Sequence, residues 1–316
     1  MKPFAFVFPG QGSQSVGMLD GWVGHPAVKT ALEEASEALG EDLSKLISVG
    51  PKEALALTIN TQPAMLVAGI AAYRAWREEG GLAPAVVAGH SLGEYSALVA
   101  ADVLTLSQAI PLVRFRAQAM QDAVPAGAGA MAAILGLDAQ KVIEGCAEVA
   151  QSYGANTVET VEAVNFNDPG QTVIAGSKAA VEKACGVLKA LGAKRALMLP
   201  VSAPFHSSLM KPAADKLKDR LAGTAFAIPK IPVINNIEVE AESDPDRIRA
   251  ALYEQAFGPV RWVECIRSIK SRGILAVIEC GPGRVLAGLV KRIDGELSSA
   301  AIYDQATLSD AKAMLA

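Results

Sequence analysis

A short apolar segment that runs straight into Gly89-His90-Ser91-Leu92-Gly93 constrains the fold more than any other part of the sequence. Residues 86–88 have strand character, and residues 92–101 are compatible with a helix. A serine between two glycines, at a sharp turn from strand to helix, is typical of the nucleophile elbow of α/β enzymes. The glycines suit such a turn because a side chain at either position would collide across it. The segment predicts an α/β fold with a serine nucleophile, although the pentapeptide alone also fits an ordinary glycine-rich loop.

The same turn could supply half of an oxyanion hole. The backbone N–H of Leu92, the residue after Ser91, would face a carbonyl that reacts at the serine hydroxyl. A second glycine-rich turn at 9–14 follows the first predicted strand, at 4–8, and such turns are where parallel sheets place ligands. Its glycine spacing matches no nucleotide-binding loop. Either the N–H of Gln11 completes the oxyanion hole, or this turn is purely structural.

Arg116 interrupts an otherwise apolar helical stripe that contains Ala109, Leu112 and Met120. The helix is predicted to begin at a capping box over residues 105–108. A guanidinium keeps its proton and is costly to bury without an anion. The anion is either an internal Asp or Glu or a ligand carboxylate or phosphate, and the stripe by itself favours the internal ion pair.

The sequence contains three histidines. His25 stands beside Pro26 in a predicted polar loop, and His90 adjoins Ser91 on a strand end, where neighbouring side chains point to opposite sides. His206 lies where an irregular, proline-containing segment gives way to a helix, a common location for functional side chains. A histidine at a helix start is usually a cap or a surface residue. Because the same chain contains a serine elbow, we interpret His206 as a general base and expect it to reach Ser91.

Composition excludes several classes of protein. Hydrophobic residues make up 51% of the chain and charged residues 20%, which is typical of a globular protein with a sizeable core. A net charge of −4 without a dense basic stripe argues against nucleic-acid binding, and the apolar stretches are too short to span a membrane. The four cysteines are widely spaced, which favours free thiols over a metal site or disulfides. We expect a cytoplasmic monomer without metal or cofactor.

The order of predicted elements indicates an inserted subdomain. After an Ala/Gly-rich joint at 125–130, strands and helices follow the order βαββαβ, which is ferredoxin-like. The expected fold is therefore a large, hydrolase-like α/β domain of residues 1–126 and 200–316 with a mostly parallel central sheet. A small ferredoxin-like subdomain, residues 127–199, is inserted into it. Farther along the chain, residues 231–239 are predicted to form another strand.

Six separated segments carry a more specific signal. They are 10–14 (GQGSQ), 89–94 (GHSLGE), 116–121 (RAQAMQ), 203–207 (APFHS), 253–262 (YEQAFGPVRW) and 281–283 (GPG). In this order and spacing they resemble the malonyl-CoA:acyl carrier protein transacylase family. The resemblance runs nearly end to end and includes the inserted subdomain.

The resemblance implies an activity and its partners. An enzyme of this family moves a malonyl group from malonyl-CoA to the phosphopantetheine thiol of acyl carrier protein in fatty acid biosynthesis, through an acyl group on Ser91. No cofactor is implied, because the coenzyme A thioester is a substrate and the carrier protein brings its own phosphopantetheine.

The resemblance also implies roles for other residues. His206 is the base, Arg116 holds the malonyl carboxylate, and Gln11 and Leu92 supply the oxyanion N–H groups. By the same likeness, Gln255 presents its backbone carbonyl to orient His206, in place of the acid of a triad.

Three alternatives remain open on the sequence. A serine hydrolase of the α/β type uses the same elbow, but its triad histidine lies near the C-terminus, whereas His206 lies far from it. A non-catalytic module that docks carrier protein would not need Ser91, His206 and Arg116 intact. An acyltransferase of polyketide assembly, or one that uses methylmalonyl-CoA, would share these residues, although the bulky Phe205 favours the smaller malonyl group.

Overall fold

The computed structural model describes residues 2–154, 157, 159–201 and 203–316. Up to the insertion, the elements are β1 (Phe4–Phe8), α1 (Pro26–Leu39), α2 (Leu43–Val49), α3 (Lys52–Ala56), α4 (Thr58–Glu78), β2 (Val86–Gly89), α5 (Gly93–Ala100) and α6 (Leu106–Gln121). They continue with β3 (Gly129–Leu135), α7 (Ala139–Gln151), β4 (Val161–Asp168), β5 (Gln171–Ser177), α8 (Lys178–Ala190) and β6 (Arg195–Met198). The last are α9 (Lys211–Ala222), β7 (Val233–Ile234), α10 (Pro245–Gln255), α11 (Trp262–Ser271), β8 (Ala276–Cys280), α12 (Val285–Ile293), β9 (Ser298–Ile302) and α13 (Gln305–Leu315).

A parallel sheet forms the centre of the larger part of the molecule. Among the described residues it has five strands in the order β7-β2-β1-β8-β9. Strand β1 is buried on both faces, which explains its continuous apolar sequence. Phe6 packs edge-on against Tyr73 and Trp76 of α4, and Val7 on the opposite face belongs to the cluster around Trp262 of α11. The predicted α/β class with a mostly parallel central sheet is confirmed.

A second sheet is formed by strands β3 to β6. In the part of the chain that is described it has four antiparallel strands in the order β4-β5-β3-β6, the ferredoxin-like arrangement. Helices α7 and α8 cover one face, where they pack on Ala132 and Ile134. The other face contributes Met131 and Val173 to a cluster with α6 and Phe205. This second face is the one turned towards the larger part of the molecule.

Strand β4 fixes the small sheet against the large one. Val260, just before α11, exchanges backbone hydrogen bonds with it: the N–H of Phe166 donates to Val260 at 3.0 Å, and the N–H of Val260 donates to Val164 at 2.8 Å. The Asp168 carboxylate forms an ion pair with Arg292 of α12 at 2.6 Å. These contacts hold the small sheet beside the carboxyl ends of β1, β2 and β8.

The strand predicted at 231–239 is wrong in length, because β7 comprises only Val233–Ile234. The side-chain oxygen of Asn235 accepts the backbone N–H groups of Ile237 at 3.1 Å and Glu238 at 2.7 Å, which closes a turn. Asn236 leaves the sheet edge to contact the elbow. Side-chain hydrogen bonds thus end the strand earlier than its apolar pattern indicates.

No helix in the described ranges combines the length and the apolar character that crossing a membrane requires. The same residues contain no group of three or more side chains suited to holding a metal ion. All four cysteines are free thiols.

Candidate active site

The elbow places Ser91 between β2 and α5. Its φ is 53°, in the left-handed region that non-glycine residues rarely adopt. A Cβ on Gly89 would lie 1.8 Å from the carbonyl carbon of Gly93, and one on Gly93 would lie 2.0 Å from the backbone oxygen of Phe8. The two glycines are therefore required for space, as the sequence predicts.

Ser91 and His206 are in direct contact. The Oγ of Ser91 lies 2.7 Å from the Nε2 of His206. The Nδ1 of the ring lies 2.8 Å from the backbone oxygen of Gln255. Because a carbonyl only accepts, Nδ1 carries the proton, and Nε2 is free to accept from the serine hydroxyl. Burial, together with the nearby charge of Arg116, lowers the pKa of His206 to about 3, so the ring is neutral.

The other two histidines have different surroundings. The Nε2 of His90 lies 2.8 Å from the side-chain oxygen of Asn167, and the ring packs on Trp262. Burial lowers the pKa of His90. His25 lies in the loop before α1 as predicted, but it is only 5% exposed. Its ring packs edge-on against Trp22, and its nitrogens lie 3.9 and 3.8 Å from the carboxylates of Glu78 and Glu79. Neither ring bonds to Ser91, so His206 is the histidine that the fold brings to this serine.

Arg116 lies in the same site, 2% exposed. Its guanidinium donates to the side-chain oxygens of Gln62 and Gln255, each at 2.9 Å, and to the Oγ of Ser91 at 3.2 Å. The ring of Tyr95 lies 5.5 Å from it. Across the described residues it has no ion pair with a carboxylate, so the internal ion pair favoured by the helical stripe is wrong. Gln62 and Gln255 accept from the guanidinium without adding charge, its buried Nε has no partner among the described residues, and Glu94 acts on it electrostatically without forming an ion pair. An anionic ligand would therefore be the first group to pair with it directly.

A cavity of about 110 Å³ joins these groups. Ser91, His206 and Arg116 line it, together with Gln11 and Leu92. Neither the backbone N–H of Gln11 nor that of Leu92 donates to another described residue. The two groups are available to a ligand oxygen, which is the arrangement expected of an oxyanion hole.

Comparison with known proteins identifies the family. The model of the acyl transferase domain family matches residues 5–307. The malonyl CoA-acyl carrier protein transacylase of Escherichia coli K12 is 51% identical over 312 residues, covering 98% of this chain and 99% of that protein. The chain belongs to this transacylase family.

Solved structures agree with this assignment. The acyl-carrier-protein S-malonyltransferase of Burkholderia pseudomallei 1710b is 60% identical, with a TM-score of 0.95 and coverage of 98% of this chain and 99% of that one. A malonyl-transacylase in complex with its holo type II PKS acyl-carrier protein is 52% identical, with the same TM-score and coverage. The family expected from the six sequence segments is confirmed.

Three buried polar residues of this transacylase site escaped the sequence reasoning. Gln62 precedes a proline inside the apolar helix α4, and its oxygen accepts from Arg116. Glu94 is the last residue of the elbow segment, and Asn236 follows an apolar strand. A polar side chain inside an apolar run was the available signal in each case, but it does not reveal the partner.

Proposed function

We propose that this chain is an acyl-carrier-protein S-malonyltransferase that moves the malonyl group of malonyl-CoA to the phosphopantetheine thiol of acyl carrier protein in fatty acid biosynthesis. Relatives at about half identity over nearly the whole chain carry this activity in their names. The single observation that most supports the mechanism is the 2.7 Å contact between Ser91 and His206 beside the unpaired charge of Arg116.

In the first half-reaction, Ser91 becomes acylated. The Nε2 of His206 takes the proton of the Ser91 hydroxyl while Oγ attacks the thioester carbonyl of malonyl-CoA. The N–H groups of Gln11 and Leu92 hold the resulting oxyanion. The C–S bond then breaks, and coenzyme A leaves as a thiolate that recovers the proton from His206.

In the second half-reaction, the carrier thiol reverses these steps. His206 takes the thiol proton, the sulfur attacks the seryl ester, and the C–O bond to Ser91 breaks as Oγ regains the proton. The donor leaves before the acceptor reacts, which predicts ping-pong kinetics.

Arg116 provides the preference for malonyl groups. Its planar guanidinium matches the free carboxylate at the end of the malonyl chain. An acetyl group would leave this charge unpaired in a buried site, and a site built for a charged partner strongly rejects an analogue that lacks it.

We also propose the cofactor requirement, the cellular location and the domain boundaries of the enzyme. The reaction as written needs no cofactor, since both thiols arrive on the substrates. The free cysteines favour a reducing compartment, and the cytoplasm is the proposed location. We keep the domain boundaries at 127 and 199, because the second sheet lies between residues 129 and 198.

A stopped incubation with malonyl-CoA tests this function. Wild-type protein alone should release one equivalent of coenzyme A and carry one malonyl group on Ser91 by mass spectrometry, and holo carrier protein should then remove it. Ser91→Ala should do neither. Continuous release of free malonate would instead identify a hydrolase, and no coenzyme A release with carrier protein present would identify a binding module.

A carrier protein of polyketide assembly is the second candidate acceptor. The 52% identical malonyl-transacylase whose partner is a type II PKS acyl-carrier protein is the observation that favours it. Comparing kcat/KM for carrier proteins of the two pathways distinguishes the candidates.

A further inference from the structure

Two side-chain amides brace the backbone on either side of the nucleophile. The side-chain oxygen of Asn236 accepts the backbone N–H of Ser91 at 2.8 Å, while its Nδ2 donates to the carbonyl of Gly89 at 2.7 Å. The Nε2 of Gln255 donates to the carbonyl oxygen of Ser91 at 3.0 Å. The peptide groups before and after Ser91 are therefore each held by a side chain from another part of the chain.

Asn236, through its backbone, and Gln255, through its side-chain amide, both donate to the carboxylate of Glu94. The Oε2 of Glu94 accepts the backbone N–H of Asn236 at 2.9 Å and the Nε2 of Gln255 at 3.1 Å. Glu94 is 2% exposed, and Asn236 and Gln255 are fully buried. Burial raises the pKa of Glu94 to about 7, which shows that removing this carboxylate from water costs free energy. A costly buried group with two specific partners indicates a role beyond packing.

The position of this network bears on the oxyanion hole. The carbonyl of Ser91 and the N–H of Leu92 belong to the same planar, trans peptide group. A hydrogen bond that fixes the carbonyl therefore also fixes the direction of the N–H. Ser91 itself has a φ of 53°, a conformation that persists in a non-glycine residue only when its surroundings hold it.

We propose that Glu94 is a positioning residue that, through Asn236 and Gln255, fixes both the Ser91 hydroxyl and the Leu92 N–H for attack on the thioester. Glu94 touches neither substrate nor reacting atoms. The proposal rests on the proposed function, because it takes Ser91 as the nucleophile and Leu92 as an oxyanion donor.

Two substitutions at Glu94 separate hydrogen bonding from charge. Glu94→Gln keeps an oxygen that can accept both N–H groups, whereas Glu94→Leu has a similar size and accepts none. Each variant is compared with wild type in single-turnover acylation by malonyl-CoA, with KM measured alongside, and in inactivation by phenylmethylsulfonyl fluoride. In the inactivation, Ser91 Oγ forms the S–O bond, fluoride leaves and His206 takes the proton. This uncharged probe needs the nucleophile but neither Arg116 nor transferase activity.

Glu94→Leu should lower both the acylation rate and the inactivation rate about 100-fold, because small misplacements of reacting groups have effects of this size. The KM for malonyl-CoA should stay within about 3-fold, and Glu94→Gln should stay within about 5-fold of wild type in all assays. The proposal is overturned if Glu94→Leu reacts like wild type, or if Glu94→Gln loses as much as Glu94→Leu, since charge near Arg116 would then be the cause.

A second pair of variants, at Asn236 and Asn235, tests the proposal if Glu94→Leu does not fold. Asn236→Ala removes the two side-chain hydrogen bonds that Asn236 makes to the elbow. Asn235→Ala is its control for damage to the adjoining turn, because among the described residues the Asn235 side chain bonds only to residues 237–240. Asn236→Ala should lose about 30-fold or more in both rates while Asn235→Ala stays near wild type. Equal rates in the two variants would refute the proposal. Failure of wild type to transfer malonyl while still reacting with the fluoride would refute the proposed function alone.

Discussion

The Nδ1–H of His206 donates to the backbone oxygen of Gln255 at 2.8 Å, the place where a serine triad would have a carboxylate. A carbonyl carries no full charge, so it orients the ring and stabilises an imidazolium less than a carboxylate would. A thioester can react without the carboxylate of a triad, because its thiolate leaving group has a conjugate acid of pKa about 8.5 and needs little acid assistance. The dyad therefore suits transfer between thiols.

The pH dependence of acylation should reflect this environment. The pKa of His206 is lowered to about 3, so the ring stays neutral and able to take a proton as the pH falls from 7 to 5. The rate of coenzyme A release in single turnover should be nearly flat over this range. A histidine with an ordinary pKa would lose about 30-fold in rate by pH 5. Glu94→Gln removes the carboxyl group whose pKa lies near 7, so a loss of rate centred near pH 6.5 in that variant would contradict the prediction.

The same shift has a consequence for stability. Below about pH 6.5 the unfolded chain binds a proton on this histidine that the folded chain does not bind. The contribution of His206 to the free energy of unfolding should therefore decrease as the pH falls from 6.5 towards 3. Urea titrations of wild type and His206→Ala at several pH values measure this contribution. If the free energy of unfolding depends on pH equally in the two proteins, the prediction is wrong.

Replacement of Arg116 should remove the preference for malonyl-CoA. Arg116→Ala loses the partner of the malonyl carboxylate. The malonyl-to-acetyl ratio of kcat/KM should therefore fall, by an amount equivalent to about 2–4 kcal/mol of transition-state free energy. Arg114→Ala is the matched control: it lies on the same helix, and its guanidinium pairs with Glu41 away from the cavity. An unchanged ratio in Arg116→Ala would place Arg116 outside the substrate site.

Two glycine substitutions should have opposite effects on stability. Gly89→Ala forces a Cβ to within 1.8 Å of Gly93, and it should lower the free energy of unfolding by about 3 kcal/mol or more and abolish acylation. Gly186, inside α8, has nothing within 4 Å of its hypothetical Cβ. Gly186→Ala should raise the free energy of unfolding by about 0.5–1 kcal/mol. Thermal and urea melts check both, and a stable, active Gly89→Ala would contradict the elbow geometry.

Local patterns predicted much of the fold. The continuous apolar run of β1, the capping box of α6 at Thr105 and the βαββαβ order of the second sheet all depend on near neighbours in sequence. The length of β7 was predicted wrongly because Asn235 and Asn236 end the strand through partners that an apolar pattern does not reveal. The burial of His25 is not visible in the sequence, because its contacts with Glu78 and Glu79 form only in the folded chain.

The elbow, the parallel sheet and the residue types of the site follow from local sequence patterns, because backbone conformation and periodic burial are set over a few residues. Whether Arg116 meets a carboxylate, and which atoms hold Ser91, was decided only by tertiary structure. Those contacts join the elbow, α5 and α6 to α10 and the end of β7, 139–164 residues farther along the chain, and α6 to α4, 54 residues before it. Their distances depend on how the helices pack on the sheet, and hydrogen bonds act only at such short range.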